Sequence, residues 1–177
     1  MKQLRGKTCL ITGAAGGIGQ ALADVLFAEG MHLALVDIDQ DALEDMAQRM
    51  GSGEQRITIH VADVRDGAAL DAMATEVEEK HDELNLLVCG AGVMTHGPFE
   101  DHSSESIDWI IDINVRGLMQ TCRACIPLLR KASAAHVVNI SSMTALFGVP
   151  TSVLYASSKW AIRGFGMGLR AELSPYG

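Results

Sequence analysis

Basic residues are in short supply: 14 Lys plus Arg stand against 22 Asp plus Glu, a formal charge of -8 over 177 residues. Without a Lys/Arg cluster the chain lacks the positive field that usually supplies phosphate affinity, which argues against a nucleic-acid partner. Cysteines number four, Cys9, Cys89, Cys122 and Cys125. They are too sparse for a secreted disulfide framework, and a reducing compartment is the simpler expectation. No apolar stretch approaches the roughly 18 residues that would cross a bilayer. The N-terminal MKQLRGKTCLITG enters glycine-rich sequence after a short apolar run, with no small-residue cleavage site. A soluble, cytoplasmic protein is expected. Prolines are scarce too, 4 against 18 glycines, which points to tight turns rather than linkers.

What is present is apolar: 48% hydrophobic composition excludes a disordered chain, and the length suits one domain with a sizeable core. Five short apolar runs read as strands: Lys7 to Thr12, Leu33 to Ile38, Arg56 to Val61, Asn85 to Cys89 and His136 to Ile140. Between them lie helical stripes, Ile18, Leu22, Val25 and Leu26 in one, Leu70, Met73 and Val77 in another. Continuous apolar strands alternating with helices predict an α/β fold, a doubly wound parallel sheet with right-handed crossovers. The polar stretch Gly51 to Gln55 reads as a loop, and no repeat or low-complexity tract competes.

Thr12-Gly13-Ala14-Ala15-Gly16-Gly17-Ile18-Gly19 falls between the first strand and the first helix. Glycines there permit a sharp turn and let backbone N–H groups approach a pyrophosphate at the helix N-terminus. The spacing G-x-x-x-G-x-G departs from the dinucleotide fingerprint G-x-G-x-x-G, and a glycine cluster alone would be only a tight turn. Its position favours a nucleotide. Asp37 ends the second strand, where a carboxylate can accept from an adenosine ribose and repel a 2'-phosphate; Ile38-Asp39-Gln40-Asp41 offers no compensating base. NAD is therefore expected over NADP. Asp63 either accepts from an adenine amino group, with Val64 against the ring, or is a turn residue before the helix from Asp66.

The candidate chemistry lies further on. Tyr155 and Lys159 are four residues apart and share a helix face, so the ammonium can stand near the phenol and stabilise phenolate. Tyr155 is the candidate acid/base, although Y-x-x-x-K alone is common by chance. Ser142 follows the fifth strand, where it can orient a reacting oxygen or simply cap a turn. Asn114, polar within IIDINVRG, either holds a kink or an ordered water through its amide or is a partly exposed helix residue.

Taken together, TGAAGGIG (Thr12 to Gly19), Asp37, Asp63, Asn114, Ser142 in NISS and YASSK (Tyr155 to Lys159) resemble the classical branch of the short-chain dehydrogenase/reductase family. The match spans nearly the whole chain in family order. The resemblance implies hydride transfer between NAD(H) and a secondary alcohol or ketone, without a metal. It implies that Tyr155 is the acid/base and that Lys159 contacts the nicotinamide ribose and assists the tyrosine. Ser142 would position the substrate oxygen, and Asn114 would support a water in the proton relay. Gly90, Ala91 and Gly92 would let the backbone approach the cofactor, and Pro98-Phe99 would begin a loop near the site. It also implies a homodimer through the helices near 114–129 and 153–171.

Two departures stand out. Cys89-Gly90-Ala91-Gly92 replaces the usual Asn-Asn-Ala-Gly, which predicts weaker hydrogen bonding beside the cofactor. The sequence also stops at LSPYG, so one dinucleotide-binding and catalytic domain over residues 1–177 is expected, lacking the usual C-terminal strands and substrate-binding segment. An exposed fifth strand would be a pairing liability. The alternative is a catalytically inactive form that binds NAD or a protein. Cys122 and Cys125 read as buried or interfacial helix thiols rather than a redox or metal pair, and His96 and His102 as solvated loop residues or substrate contacts.

Overall fold

The computed structural model describes residues 3–51 and 56–176. Five strands, β1 (Thr8–Thr12), β2 (His32–Asp37), β3 (Ile57–Val61), β4 (Leu86–Cys89) and β5 (His136–Asn139), form one sheet in the order β3-β2-β1-β4-β5. Every pair is parallel. The chain leaves β3 at one edge and re-enters beside β1, so the C-terminal ends of β1 and β4 diverge and leave a crevice between their loops. Each expected strand is present, its ends within a residue or so of the apolar run. Of the expected loop Gly51 to Gln55, residues 52–55 lie outside the described residues.

Helices cover both faces. On one, Ile11, Leu33, Leu35 and Val88 pack with α1 (Gly17–Ala28) and α2 (Gln40–Met50), through Ala23, Leu26, Leu43 and Met46. On the other, Leu10, Val36 and Leu87 meet α3 (Gly67–His81), α5 (Leu118–Leu129) and α6 (Val153–Leu173), through Leu70, Val77, Cys122 and Ile162. Strands sandwiched this way must be apolar on both sides, and β1 is buried at all five positions.

The first helical stripe needs correction. Ile18 and Val25 are 69% and 59% exposed, whereas Gly19, Ala23 and Leu26 are buried. Small residues let α1 lie close on the sheet, so its inward face is poorer in large side chains than its outward one. The second stripe, Leu70, Met73 and Val77, is buried as expected. The expected helix near 114–129 belongs to a longer run: α4 (Ser104–Ile111) continues through a π turn at Asp112–Gly117 into α5. Gly117 sits in that turn because a Cβ there would stand 2.7 Å from Val64 Cγ2.

β5 is an edge strand, with Val138 41% exposed. Along it runs a groove of about 980 Å³ lined in part by Leu129, Val137, Ser142, Ile162 and Met167. Among the described residues, no helix is long and apolar enough to cross a membrane.

Candidate active site

The loop between β1 and α1 is shaped by backbone approach. Gly13 has φ +69°, and a Cβ on it would stand 2.7 Å from the Ala91 backbone. Only glycine satisfies both conditions. Across this contact Gly90 N–H donates to the Thr12 carbonyl at 3.1 Å and Ala91 N–H to Thr12 Oγ1 at 3.4 Å. The backbone ladder thus persists where Asn-Asn was expected, and the first of those positions, Cys89, turns its sulfur to Cys122 Sγ at 3.8 Å. Cys122 and Cys125 are both buried.

The N-terminus of α1 has no side-chain cap and no acidic residue in its first turn. By contrast, Asp39 caps α2 and Asp66 caps α3. The free N–H groups of α1 therefore remain available to an anion. Around Gly17 a Cβ would meet nothing within 4 Å, so the space above this helix start is open. Asp37 closes one side: its Oδ2 accepts from Ala15 N–H at 3.0 Å, and its Oδ1 from Ile38 N–H at 2.8 Å. Oδ1 also takes Asp39 N–H at 3.3 Å.

Asp63 lies after β3 with an unforeseen partner. Arg65 donates through Nε and Nη2 to its two oxygens, and its backbone N–H binds Oδ1 at 2.9 Å. The guanidinium holds the Asp63 carboxyl below the usual carboxylate range. Val64 is buried beneath the π turn at Gly117.

The second cluster gathers where the loop after β4, the π turn and α6 meet. A Cβ on Gly92 would lie 3.3 Å from Asn114 Oδ1 and 3.5 Å from Lys159 Nζ. Asn114 is fully buried. Its Oδ1 accepts from Val93 N–H and its Nδ2 donates to the Val93 carbonyl, both at 2.8 Å; Nδ2 also donates to Ser158 Oγ at 3.0 Å. Asn114 is therefore not a partly exposed helix residue. Ser158 passes the link on by donating to the Tyr155 carbonyl at 2.8 Å.

Lys159, 5% exposed, places Nζ 5.5 Å from the Tyr155 ring centroid and donates to the Ile140 carbonyl at 2.9 Å. Burial pushes its ammonium below the ordinary lysine value. Ser141 Oγ donates to the Lys159 carbonyl at 3.1 Å, tying the end of β5 to α6 from both directions. Ser142 accepts from Thr144 N–H at 3.2 Å and so caps a one-turn 3-10 helix at Met143–Ala145.

The candidate residues thus fall into two groups. Gly13, Gly16, Gly17, Ile18, Gly19 and Asp37 form or flank the β1–α1 loop, while Asp63 follows β3 and pairs with Arg65; Gly92, Asn114, Tyr155 and Lys159 meet at α6, with Ser142 next in chain to Ser141. Ser141 and Ser158 stand in the NISS and YASSK motifs without a role that sequence assigns them, and Arg65 carries no sequence signal at all. The signal for Ser158 was its place between Tyr155 and Lys159 on an inward helix face, but its partner is 44 residues away. His96 Nε2 lies 3.2 Å from Thr151 Oγ1, at an exposed loop. Among the described residues, no group of three or more His, Cys, Asp or Glu could hold a metal ion.

Comparison with known proteins places this geometry. Residues 7–177 match the family model described as short chain dehydrogenase. Oxidoreductase UcpA of Salmonella typhimurium is 38% identical, with all of this chain aligned to 67% of that protein's length. An uncharacterized oxidoreductase of Staphylococcus haemolyticus is 33% identical, aligned over 76% of its length. Among solved structures, an NAD+-bound xylitol dehydrogenase superposes with a TM-score of 0.94 at 29% identity, covering 99% of this chain and 68% of that one. A short chain dehydrogenase/reductase from Burkholderia phymatum in complex with NAD also gives 0.94, at 30% identity and covering 100% and 63%.

Proposed function

The chain belongs to the short chain dehydrogenase family, and on that premise we propose that it is an NAD(H)-dependent oxidoreductase interconverting a secondary alcohol and a ketone, with Tyr155 as acid/base. We treat residues 1–177 as one dinucleotide-binding and catalytic unit. The observation that carries the reading is the placement of a buried lysine ammonium 5.5 Å from the Tyr155 ring, on a helix fixed by hydrogen bonds at both neighbouring segments. With the Lys159 ammonium beside the ring, Tyr155 Oη would take the alcohol proton or return it to a carbonyl oxygen. Ser142 Oγ would hold the reacting oxygen, and Lys159 would also bind the nicotinamide ribose.

Nicotinamide dinucleotide supplies or accepts the hydride when bound. The residues present suit it: the uncapped start of α1 and the open space over Gly17 can receive a pyrophosphate. Gly90, Ala91 and Gly92 leave backbone free to approach the dinucleotide. Asp37 would bind the adenosine ribose, which favours NAD over NADP, and the two similar structures above are NAD complexes. Asp63 and Val64 would flank the adenine, with Asp63 held in place by Arg65. We further assign a homodimer to the helices near 114–129 and 153–171, where Met119 and Trp160 are 38% and 47% exposed.

A second reading is an NAD-binding or protein-interaction module without turnover. It draws on the groove that opens Ser142 toward the unpaired edge of β5. A fluorescence titration with NADH followed by a screen of secondary alcohols separates the two. Saturable binding with turnover supports the enzyme; saturable binding without turnover supports the module. Tyr155→Phe should keep NADH affinity within about twofold while abolishing turnover, and unchanged turnover removes Tyr155 from the acid/base role.

A further inference from the structure

Away from Tyr155, the edge strand β3 presents two polar side chains to α3. Thr58 and His60 lie two residues apart and so share a face of the strand, and His60 is only 3% exposed. Thr58 Oγ1 stands 2.8 Å from His60 Nε2 and 2.8 Å from Nε2 of His81, which is also 3% exposed and ends α3. His60 Nδ1 lies 2.9 Å from Glu76 Oε2 on the same helix.

Hydrogen-bond polarity fixes the protons. A carboxylate only accepts, so His60 carries its proton on Nδ1 and, when neutral, offers a lone pair on Nε2. Thr58 donates its one hydroxyl proton there and accepts from His81 Nε2–H. The neutral His81 then has a bare Nδ1, and that atom is buried without a partner. The chain is complete with both rings neutral. An added proton sits either on His81 Nδ1, a buried N–H with nothing to accept it, or on His60 Nε2, where both rings then donate to Thr58 and its hydroxyl proton loses its acceptor.

The surroundings oppose that proton. Arg56 donates to the Lys80 carbonyl at 2.6 Å, capping the last turn of α3, and its other amino group lies 3.8 Å from Asp82. The His32 ring on β2 lies tilted by 43° beside that of His81, centroids 6.4 Å apart, and accepts Arg56 N–H on Nδ1 at 2.8 Å. On α5, which packs on the same helix, Arg123 is paired with Asp71, and in the turn after α5 Lys131 is paired with Glu78. Glu76 is the carboxylate of the chain itself, and it serves His60 rather than His81.

We propose that Glu76, Thr58, His60 and His81 form a proton-sensitive latch that holds the C-terminal end of α3 on β3 at neutral pH and releases it in mild acid. Burial and the charges of Arg56, His32, His60 and Lys80 push His81 down to about 4 from 6.5, and burial lowers His60. Because the folded value is depressed for a base, the latch is fully effective above 6.5 and is lost as pH falls from there through about 4. For His81 alone the folding constant should fall roughly 20-fold between pH 7 and pH 5.

Long-range proton–nitrogen NMR of the histidine rings, followed from pH 7.5 to 4, reads the latch directly. The expected result is His81 protonated on Nε2 and His60 on Nδ1, with His81 not titrating until well below pH 6. Urea unfolding of wild type and His81→Leu over the same range should show a flatter pH dependence in the variant. A His81 ring protonated on Nδ1 at neutral pH, a ring titrating at 6.5 or above, or identical pH dependence in the two proteins overturns the proposal. Should His81→Leu not fold, the wild-type ring titration decides. None of these readouts depends on dehydrogenase activity.

Discussion

A methyl group added at Gly19 tests whether the β1–α1 loop is as rigid as its contacts require. The new Cβ would fall far inside contact distance of the Gly13 carbonyl and 2.8 Å from the Ala14 Cα and carbonyl oxygen. All of these are backbone atoms, locked by the Gly16 N–H to Gly13 carbonyl bond and by Gly13 against Ala91. No side chain can swing away. Gly19 lies inside α1, so alanine would by propensity gain about 1 kcal/mol. Overpacking typically costs about 1–3 kcal/mol, and a clash with fixed backbone belongs at or above the top of that range. The net expectation is a loss of roughly 2 kcal/mol, a fall in melting temperature of about 4–8 °C for a chain this size, with weaker NADH binding. Gly17→Ala is the control in the same turn: its Cβ meets nothing within 4 Å. That variant should melt at or slightly above wild type yet bind NADH at least about tenfold less well, because its methyl occupies the anion's space. A Gly19→Ala protein as stable as wild type would refute the argument from backbone contact. Wild-type affinity in Gly17→Ala would remove the helix start from the dinucleotide cradle.

Two further substitutions probe the same site. Asp37→Ala should lower the ratio of NADPH to NADH dissociation constants, since it removes the charge that opposes a 2'-phosphate; an unchanged ratio in paired fluorescence titrations removes Asp37 from cofactor choice. Asn114→Leu leaves the Val93 N–H and carbonyl without partners in a buried place and removes the donor to Ser158 Oγ, which keeps only its bond to the Tyr155 carbonyl. A loss of about 2–4 kcal/mol in urea unfolding is expected, and a loss below about 1 kcal/mol would mean that the π turn does not rely on the amide.

The parallel strands could be read from sequence because burial on both faces leaves an uninterrupted apolar run such as TCLIT. The inward face of α1 could not be read this way. Gly19 and Ala23 seat the helix against the sheet, and a search for large apolar side chains instead selects Ile18 and Val25 on the outside. The π turn leaves no periodic mark either, because the apolar rhythm of α4 and α5 continues across it while Asn114 answers to Val93, 21 residues back. In the site, Asp37, Tyr155 and Lys159 stood out as candidates by residue type and spacing. Arg65 on Asp63 and Ser158 on Asn114 did not, since a common surface residue and a common helix residue acquire meaning only from a partner brought in by folding. The Thr58–His60 pair was visible as a two-residue alternation in RITIHV, but its closure by His81 required the placement of α3.

The helix bearing Tyr155 is held at its neighbours by buried polar groups rather than by apolar packing alone, and this constrains any proton path. On one flank Lys159 Nζ donates to the Ile140 carbonyl just past β5, and Ser141 Oγ donates back to the Lys159 carbonyl. On the other, Ser158 accepts from Asn114 and donates to the Tyr155 carbonyl. In a low-dielectric setting each such bond fixes direction as well as distance, and a missing partner leaves a desolvated group behind. Asn114 has two amide protons, and Val93 and Ser158 take both. One oxygen lone pair already receives Val93 N–H. A water ordered beside Asn114 is thus left with the second lone pair of Oδ1 or with main-chain atoms of the π turn. A relay leaving Tyr155 through Lys159 can use Asn114 as an acceptor or as a brace for the turn, but not as a side-chain donor.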